Sequence, residues 1–280
     1  MRRRSGRGVG RWIVSLVLLA AMFVIDLPLI LTVINSFRPT NDILGGTTLF
    51  PDNVTLANYT TVISGSKVQY WAWFRNSILI AVITTAATLV AAGFAGYSMS
   101  RYRTIVNSVY SSLLMVFQMF PLVLSIIALF VTFRVLHLIN TPAPVAILYV
   151  VMSLPFCTWM FKGFFDSIPR DLEEAARIDG CSSFQAMLRI VLPLAGPGAA
   201  AVAIFAFLQS YNEFMVASAF LPNEASNTIP VGLRNFQTYD RTDWGAMLAA
   251  STMAFLPPLV LFLLVQKWMI KGMAAGAVKG

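Results

Sequence analysis

Glu173-Glu174-Ala175-Ala176-Arg177-Ile178-Asp179-Gly180, running on through Cys181 and Ser182 to Pro197, decides how this chain is read. It is the longest charged segment between two strongly apolar ones. Pro169 suits the first turn of a helix, and Gly180 suits the position just past its end. Ser182 and Gln185 stand at capping-box spacing, so a second helix starts there. Phe184, Met187, Leu188 and Val191 fall at i, i+3, i+4 and i+7 and give that helix one apolar face. Pro193 and Pro197 are expected to end it. The pattern predicts a two-helix projection between two membrane segments. Such a projection must pack against something, and the chain has little soluble mass of its own to offer.

The 280 residues are 58% hydrophobic and only 11% charged, where a soluble domain averages about 25% charged. Apolar runs near 20 residues long recur along the chain and read as membrane-spanning helices. The expected class is therefore all-α and integral to a membrane. Cys157 and Cys181 are too few for a disulfide framework and read as free thiols. A single histidine, His137, argues against a His-based metal site or a Ser-His-Asp triad, so neither a metal site nor a catalytic residue is assigned. No phosphate-binding Gly-x-x-x-x-Gly-Lys-Ser/Thr loop occurs, so no cofactor is expected on this chain.

Six spans are expected, at about 12–34, 77–99, 108–133, 143–165, 198–221 and 246–268, in one domain covering 1–280. Asp26 interrupts the first and Pro121 breaks the third. Trp71 and Trp73 are expected at the membrane interface, closing a long polar loop. Ala92 and Gly96 form a small-xxx-small pair that permits close helix contact. The charged loop covers 166–196, and a tail covers 269–280. The net charge of +8 does not point to nucleic acid, because the basic residues sit mostly at span ends. Fourteen of the 20 Lys and Arg fall on the side of both termini and the charged loop. That bias places both termini and the loop in the cytoplasm.

Glu174-Ala175-Ala176, then Gly180, Ile190 and Leu192-Pro193 at fixed spacing, resemble the EAA loop of binding-protein-dependent ABC importer permeases. The resemblance implies the type I permease fold, in a bacterial inner membrane. It implies that the loop docks into a cleft of a cytoplasmic ATPase, through Glu173, Glu174, Ala175, Ala176, Asp179, Gly180, Ile190 and Pro193. ATP and magnesium would then sit on the ATPase partner. Gln266-Lys267-Trp268, Lys271-Gly272-Met273 and the run Ala275 to Gly280 resemble the C-terminus of the maltose-type second permease subunit. In that family the tail reaches the ATPases, which singles out Lys279 and Gly280. Thr228-Ile229-Pro230-Val231-Gly232-Leu233, Phe50-Pro51-Asp52 and Asn58-Tyr59 are similar to outer-loop segments of sugar permeases. The implied partners are a second permease, two ATPase subunits, an external sugar-binding protein and membrane lipid.

Asn212-Glu213-Phe214 resembles the Trp-Asn-Glu/Asp-Phe signature of sugar permeases, with Tyr211 where Trp is usual. Gln118, Gln209, Tyr211, Asn212 and Glu213 are the candidates for a solute path. An ionisable residue in a span faces a watery cavity or pairs with a neighbouring helix, and for Glu213 both readings stand. The pattern leaves three outcomes for function: a sugar importer permease, a permease of the same superfamily for another solute such as a glycerophosphodiester, or an ion-coupled transporter using Asp26 and Glu213.

Overall fold

The computed structural model describes residues 6–45, 48–238 and 242–277. Among these the regular structure is helical, with one isolated bridge between Gln237 and Thr242. In chain order the helices are α1 (Gly6–Ser36), α2 (Thr40–Gly45), α3 (Ala57–Ser64), α4 (Tyr70–Arg101) and α5 (Ile105–Met119). There follow α6 (Leu122–Val135), α7 (Pro142–Asp166), α8 (Asp171–Ile178), α9 (Ser183–Ala186) and α10 (Leu192–Leu194). The last are α11 (Gly196–Asn212), α12 (Met215–Phe220), α13 (Ile229–Gly232), α14 (Trp244–Ala254) and α15 (Leu256–Ala277).

Among the described residues, four stretches are long and apolar enough to cross a membrane: Val14–Ser36, Tyr70–Arg101, Pro142–Asp166 and Trp244–Trp268. Two further pairs are bent, Ile105–Met119 with Leu124–Val135 at 103° and Ser183–Leu194 with Gly196–Asn212 at 75°. The total reaches six when each bent pair counts as one span. The third expected span is thus not a continuous rod; the fifth, 198–221, begins after the 75° bend and is interrupted instead at Glu213 and Phe214, between α11 and α12. At the third, Phe120 and Pro121 are both extended, and α6 starts afresh after the proline. Proline has no N–H to continue the ladder and pushes its predecessor out of helical geometry.

The second expected span also differs. Helix α4 is 32 residues long and starts at Tyr70, not near Ser77. Trp73 is fully buried and donates its indole N–H to the Glu224 carbonyl at 3.0 Å, so it is a packing residue and not an interfacial one. Trp71 remains half exposed.

The chain divides into two compact units, one formed by 1–68 with 235–254 and the other by 69–234 with 255–280. In the first, the end of α1 is closed by a side chain from α3. Asn58 donates to the carbonyls of Ser36 and Arg38, both at 2.8 Å. Asp243 accepts from Lys67 at 2.9 Å and Thr40 at 3.0 Å, and caps α14 through the Ala246 amide. Burial pushes its carboxyl up, but these hydrogen bonds outweigh burial and hold it below the usual carboxylate range.

The second unit is built on α4 and α7, with α11 against both. Phe161, Phe165, Cys157, Met187, Val191, Val202 and Ala206 form one buried cluster. Tyr149, Val145, Leu148, Val216 and Phe220 belong to another. The expected small-residue contact on α4 is present. A Cβ on Gly96 would lie 2.8 Å from the Phe161 Cβ and 3.0 Å from backbone atoms of Lys162 and Thr158. Backbone cannot yield as a side-chain tip can, so Gly96→Ala must push α4 and α7 apart. The expected cost is about 1–3 kcal/mol, read as a lower thermal midpoint of the purified chain in detergent; an unchanged midpoint contradicts this close approach.

Candidate functional site

The charged loop folds as its local pattern dictates. Three acidic residues, Asp171, Glu173 and Glu174, occupy the first turn of α8 and complement its dipole. Pro169 stands two residues ahead of the first helical residue, a little earlier than expected. Gly180 ends α8 in the left-handed region, with φ of 91°. Its amide reaches the Arg177 carbonyl and the Cys181 amide reaches that of Ala176, which is a Schellman ending. Ser182 and Gln185 then form the full capping box of α9.

The helix that follows does not stop at Pro193. Residues Met187–Val191 widen into a π turn, in which the Leu192 amide bonds to the Met187 carbonyl. The wider turn makes room for the Pro193 ring, which in a regular helix would strike the carbonyl four residues back. Helical geometry runs on to Leu194, and Pro197 lies in the first turn of α11, where a missing N–H costs nothing. The apolar face of α9 and the π turn is divided. Met187 and Val191 are buried, while Phe184 and Leu188 are exposed. Leu188, Leu192, Leu89, Gly93 and Phe94 line an open apolar groove of about 390 Å³.

The residues expected to dock separate into two faces of α8. Glu173 and Ala176 turn inward, at 3% and 4% exposure. They are one turn apart on the face that α8 buries, so they do not belong to its outer surface. Glu174, Ala175, Asp179 and Gly180 stay exposed, Pro193 is exposed, and Ile190 is half-buried. Ile178 is 87% exposed, an apolar side chain that sequence reasoning did not select.

The inward face meets a buried cation. Arg101, at the end of α4, pairs through its Nε with Glu173, and the side chains are 7% and 5% exposed. Tyr97 donates its hydroxyl to the other Glu173 oxygen at 2.6 Å. The remaining guanidinium nitrogens of Arg101 reach the carbonyls of Phe165 at 2.9 Å, in the last turn of α7, and Ile168 at 3.1 Å, just past it. Arg170 donates to the Ser100 carbonyl at 2.8 Å, and Ser100 donates to Asp166 at 2.6 Å. The base of the loop is thereby tied to both α4 and α7.

The second cluster of candidates lies at a helix break. Helix α11 ends at Asn212, Glu213 is extended with ψ of 130°, and α12 begins at Met215. The Glu213 carboxylate accepts from the amides of Met215 at 2.8 Å, Val216 at 3.0 Å and Ala217 at 3.3 Å. The Tyr149 hydroxyl of α7 donates to it at 2.7 Å. A break in an apolar setting exposes amides that nothing else can satisfy, and this carboxylate satisfies them. Through Tyr149 the carboxylate is tied to the neighbouring helix α7. Ser153 links the line further, donating to Gln209 at 3.3 Å. Tyr211 is buried and stacks on Phe207 at 5.5 Å, whereas Asn212 is exposed. Gln118 is exposed, apart from this cluster's hydrogen bonds. Lys279 and Gly280 lie outside the described residues.

A family model described as a binding-protein-dependent transport system inner membrane component matches residues 88–275. The chain belongs to that family. It is a transport component and not an enzyme, with the charged loop and the α11 break both inside the matched range. The sulfoquinovosyl glycerol transport system permease of Agrobacterium fabrum is 36% identical over 83% of this chain and 81% of its own length. The galactooligosaccharides transport system permease of Bacillus subtilis is 35% identical over 96% of each. The trehalose/maltose transport system permease of Thermococcus litoralis is 33% identical over 90% of this chain and 91% of its own. Among solved structures, a chain of a bacterial ABC transporter involved in the import of the acidic polysaccharide alginate aligns with a TM-score of 0.76. The alignment covers 95% of this chain and 98% of that one at 22% identity. The shared architecture is the type I ABC permease fold.

The break at Glu213 yields a prediction on stability. Glu213→Gln retains one acceptor oxygen for the amides of α12 and is expected to stay near the parent protein. Glu213→Leu strands the Tyr149 hydroxyl and several amides, at about 1–3 kcal/mol for each buried group left unpaired. Thermal unfolding of both variants in detergent checks this; equal midpoints would remove the capping role.

Proposed function

We propose that this chain is one of two permease subunits of an ATP-driven importer that carries a sugar or oligosaccharide delivered by an external binding protein. The observation that carries the proposal is the protruding α8–α9 loop in a chain of this permease family. Its base is fixed by buried ion pairing while Glu174, Ala175, Asp179 and Gly180 stand free. An exposed, rigidly held helix suits docking on a partner, and the partner is a pair of cytoplasmic ATPase subunits that bind ATP and magnesium. This chain itself takes no cofactor. Ile178 adds an apolar contact, and the tail residues Lys279 and Gly280 add a further one. The sugar class is supported by the relatives, whose names describe galactooligosaccharide, trehalose or maltose, and sulfoquinovosyl glycerol transport. Of the solute-path candidates, Asn212 and Gln118 are exposed and available for hydrogen bonding, whereas the carboxylate of Glu213 is already engaged.

The test is reconstitution of the whole importer with its ATPase and binding protein in lipid vesicles. Sugars are screened for stimulation of ATP hydrolysis. Stimulation by a sugar is expected, and Glu174→Lys is expected to lower it by about ten-fold or more by reversing a contact charge. Membrane insertion of the variant should be normal. Unchanged stimulation by the variant removes the docking role. Stimulation by a glycerophosphodiester, amino acid or peptide replaces the sugar, and uptake without any ATPase assigns ion coupling instead.

Cytoplasmic termini and a cytoplasmic loop complete the proposal, on the strength of the Lys and Arg distribution. A cysteine placed at exposed Asn223 should react with an impermeant thiol reagent added outside intact cells, and one at exposed Ser183 should not. The reverse pattern inverts the topology.

A further inference from the structure

The buried face of α8 is the part of the loop that docking does not use. It carries an arrangement that sequence spacing alone cannot account for. Glu173 is a single carboxylate with both oxygens engaged by one helix. Arg101 and Tyr97 lie one turn apart on α4 and hold its two oxygens. The same Arg101 holds the carbonyls of Phe165 and Ile168, which end α7 and lead into the loop. Four hydrogen bonds from two side chains thus converge where α4, α7 and α8 meet. Neither partner of the ion pair is solvated enough to let go cheaply. Breaking it leaves a buried charge uncompensated.

We propose that Arg101, Glu173 and Tyr97 form a clamp that makes the docking helix α8 and the span helix α4 move as one body. Force applied to the loop then reaches α4 directly, and not only the helices that flank the loop in sequence. Arg101 and Glu173 are positioning residues, since they act through α8 and touch neither solute nor nucleotide. A guanidinium suits the task because its planar fork serves a carboxylate and two carbonyls at once, which a lysine cannot do. The use made of the clamp rests on the docking reading above; the clamp itself does not.

The experiment has two arms. In the first, the full chain in lipid nanodiscs carries spin labels at Arg177→Cys on the outer face of α8 and Ala91→Cys on the exposed face of α4. Cys181→Ser removes the accessible native thiol. Pulsed electron resonance should give one narrow distance distribution for the parent. Glu173→Gln should widen it about two-fold. The double variant Arg101→Met, Glu173→Met removes the pair without leaving a lone charge, so it should still fold and insert, more stably than either single methionine variant, and still show the wide distribution. An unchanged width in either folded variant overturns the clamp.

In the second arm the reconstituted importer is assayed for transport per ATP hydrolysed. Glu173→Gln should lower that ratio about five-fold with the complex fully assembled, and Arg101→Lys should fall between it and the parent. A purely structural role would lower the amount of complex and leave the ratio alone, which overturns the mechanical part of the proposal. A widened distance together with a loop that never contacts the ATPase upholds the clamp and removes the docking reading.

Discussion

A helix that ends inside an apolar chain leaves amides or carbonyls that must find partners, and in lipid no water is there to supply them. Much of this protein follows from how those groups are satisfied. Asn58 takes the carbonyls of Ser36 and Arg38 at the end of α1. Arg101 takes those of Phe165 and Ile168 at the end of α7 and just beyond it. Glu213 takes the amides at the start of α12. Gly180 and Ser182 solve the same problem with backbone alone and with a reciprocal side-chain pair. Each solution fixes the direction in which the chain leaves the helix. The loop geometry and the kinked fifth span are consequences of these terminations as much as of core packing.

Two of these terminations use charged side chains, which is costly unless every lone pair and proton is matched. Arg101 and Glu173 match each other and then take Tyr97 and two carbonyls. Among the described residues Glu213 forms no ion pair, and its carboxylate is bonded to amides and one phenol. The two arrangements have different mechanical characters. The ion pair binds three helices at one point and resists their separation. The carboxylate at the break binds one short helix to α7, while α11 is held by its own packing against α4 and α7. A permease that must change shape benefits from both a stiff junction at the base of its charged loop and a defined joint within a span.

What could be read in advance was what sequence neighbours decide. The capping box at Ser182, the left-handed ending at Gly180, the break at Pro121 and the close-packing glycine at 96 each depend on residue types within a turn or two, or on one residue's own geometry. What could not be read depends on distant partners. Glu173 looked equivalent to Glu174 on a charged helix, and only Arg101, 72 residues earlier, sends it inward. Trp73 had the composition of an interfacial residue until Glu224 and Gly232 claimed it. Pro193 was expected to stop a helix because a π turn leaves no mark in residue types. The inward period of Glu173 and Ala176, with Glu174 and Ala175 between them, was a signal available in the sequence that the motif itself obscured.

The motif therefore combines two requirements on one short helix. Its outer residues are small or flexible, which keeps a surface open to close approach. Its inner residues are a carboxylate and an alanine, and the carboxylate ties α8 to Arg101 and Tyr97 of α4. An eight-residue helix cannot hold its shape by its own hydrogen bonds, since isolated helices that short are unstable in water. Its rigidity has to be borrowed from the helices beneath it. Moving the anchor of such a helix moves the helix, and pushing the helix moves the anchor, because the ion pair is too well buried and too well bonded to act as a loose joint. The exposed face of α8 and its buried anchor are for that reason a single mechanical element, with Glu174 and Ala175 open on one face of the helix and Glu173 attached on the other.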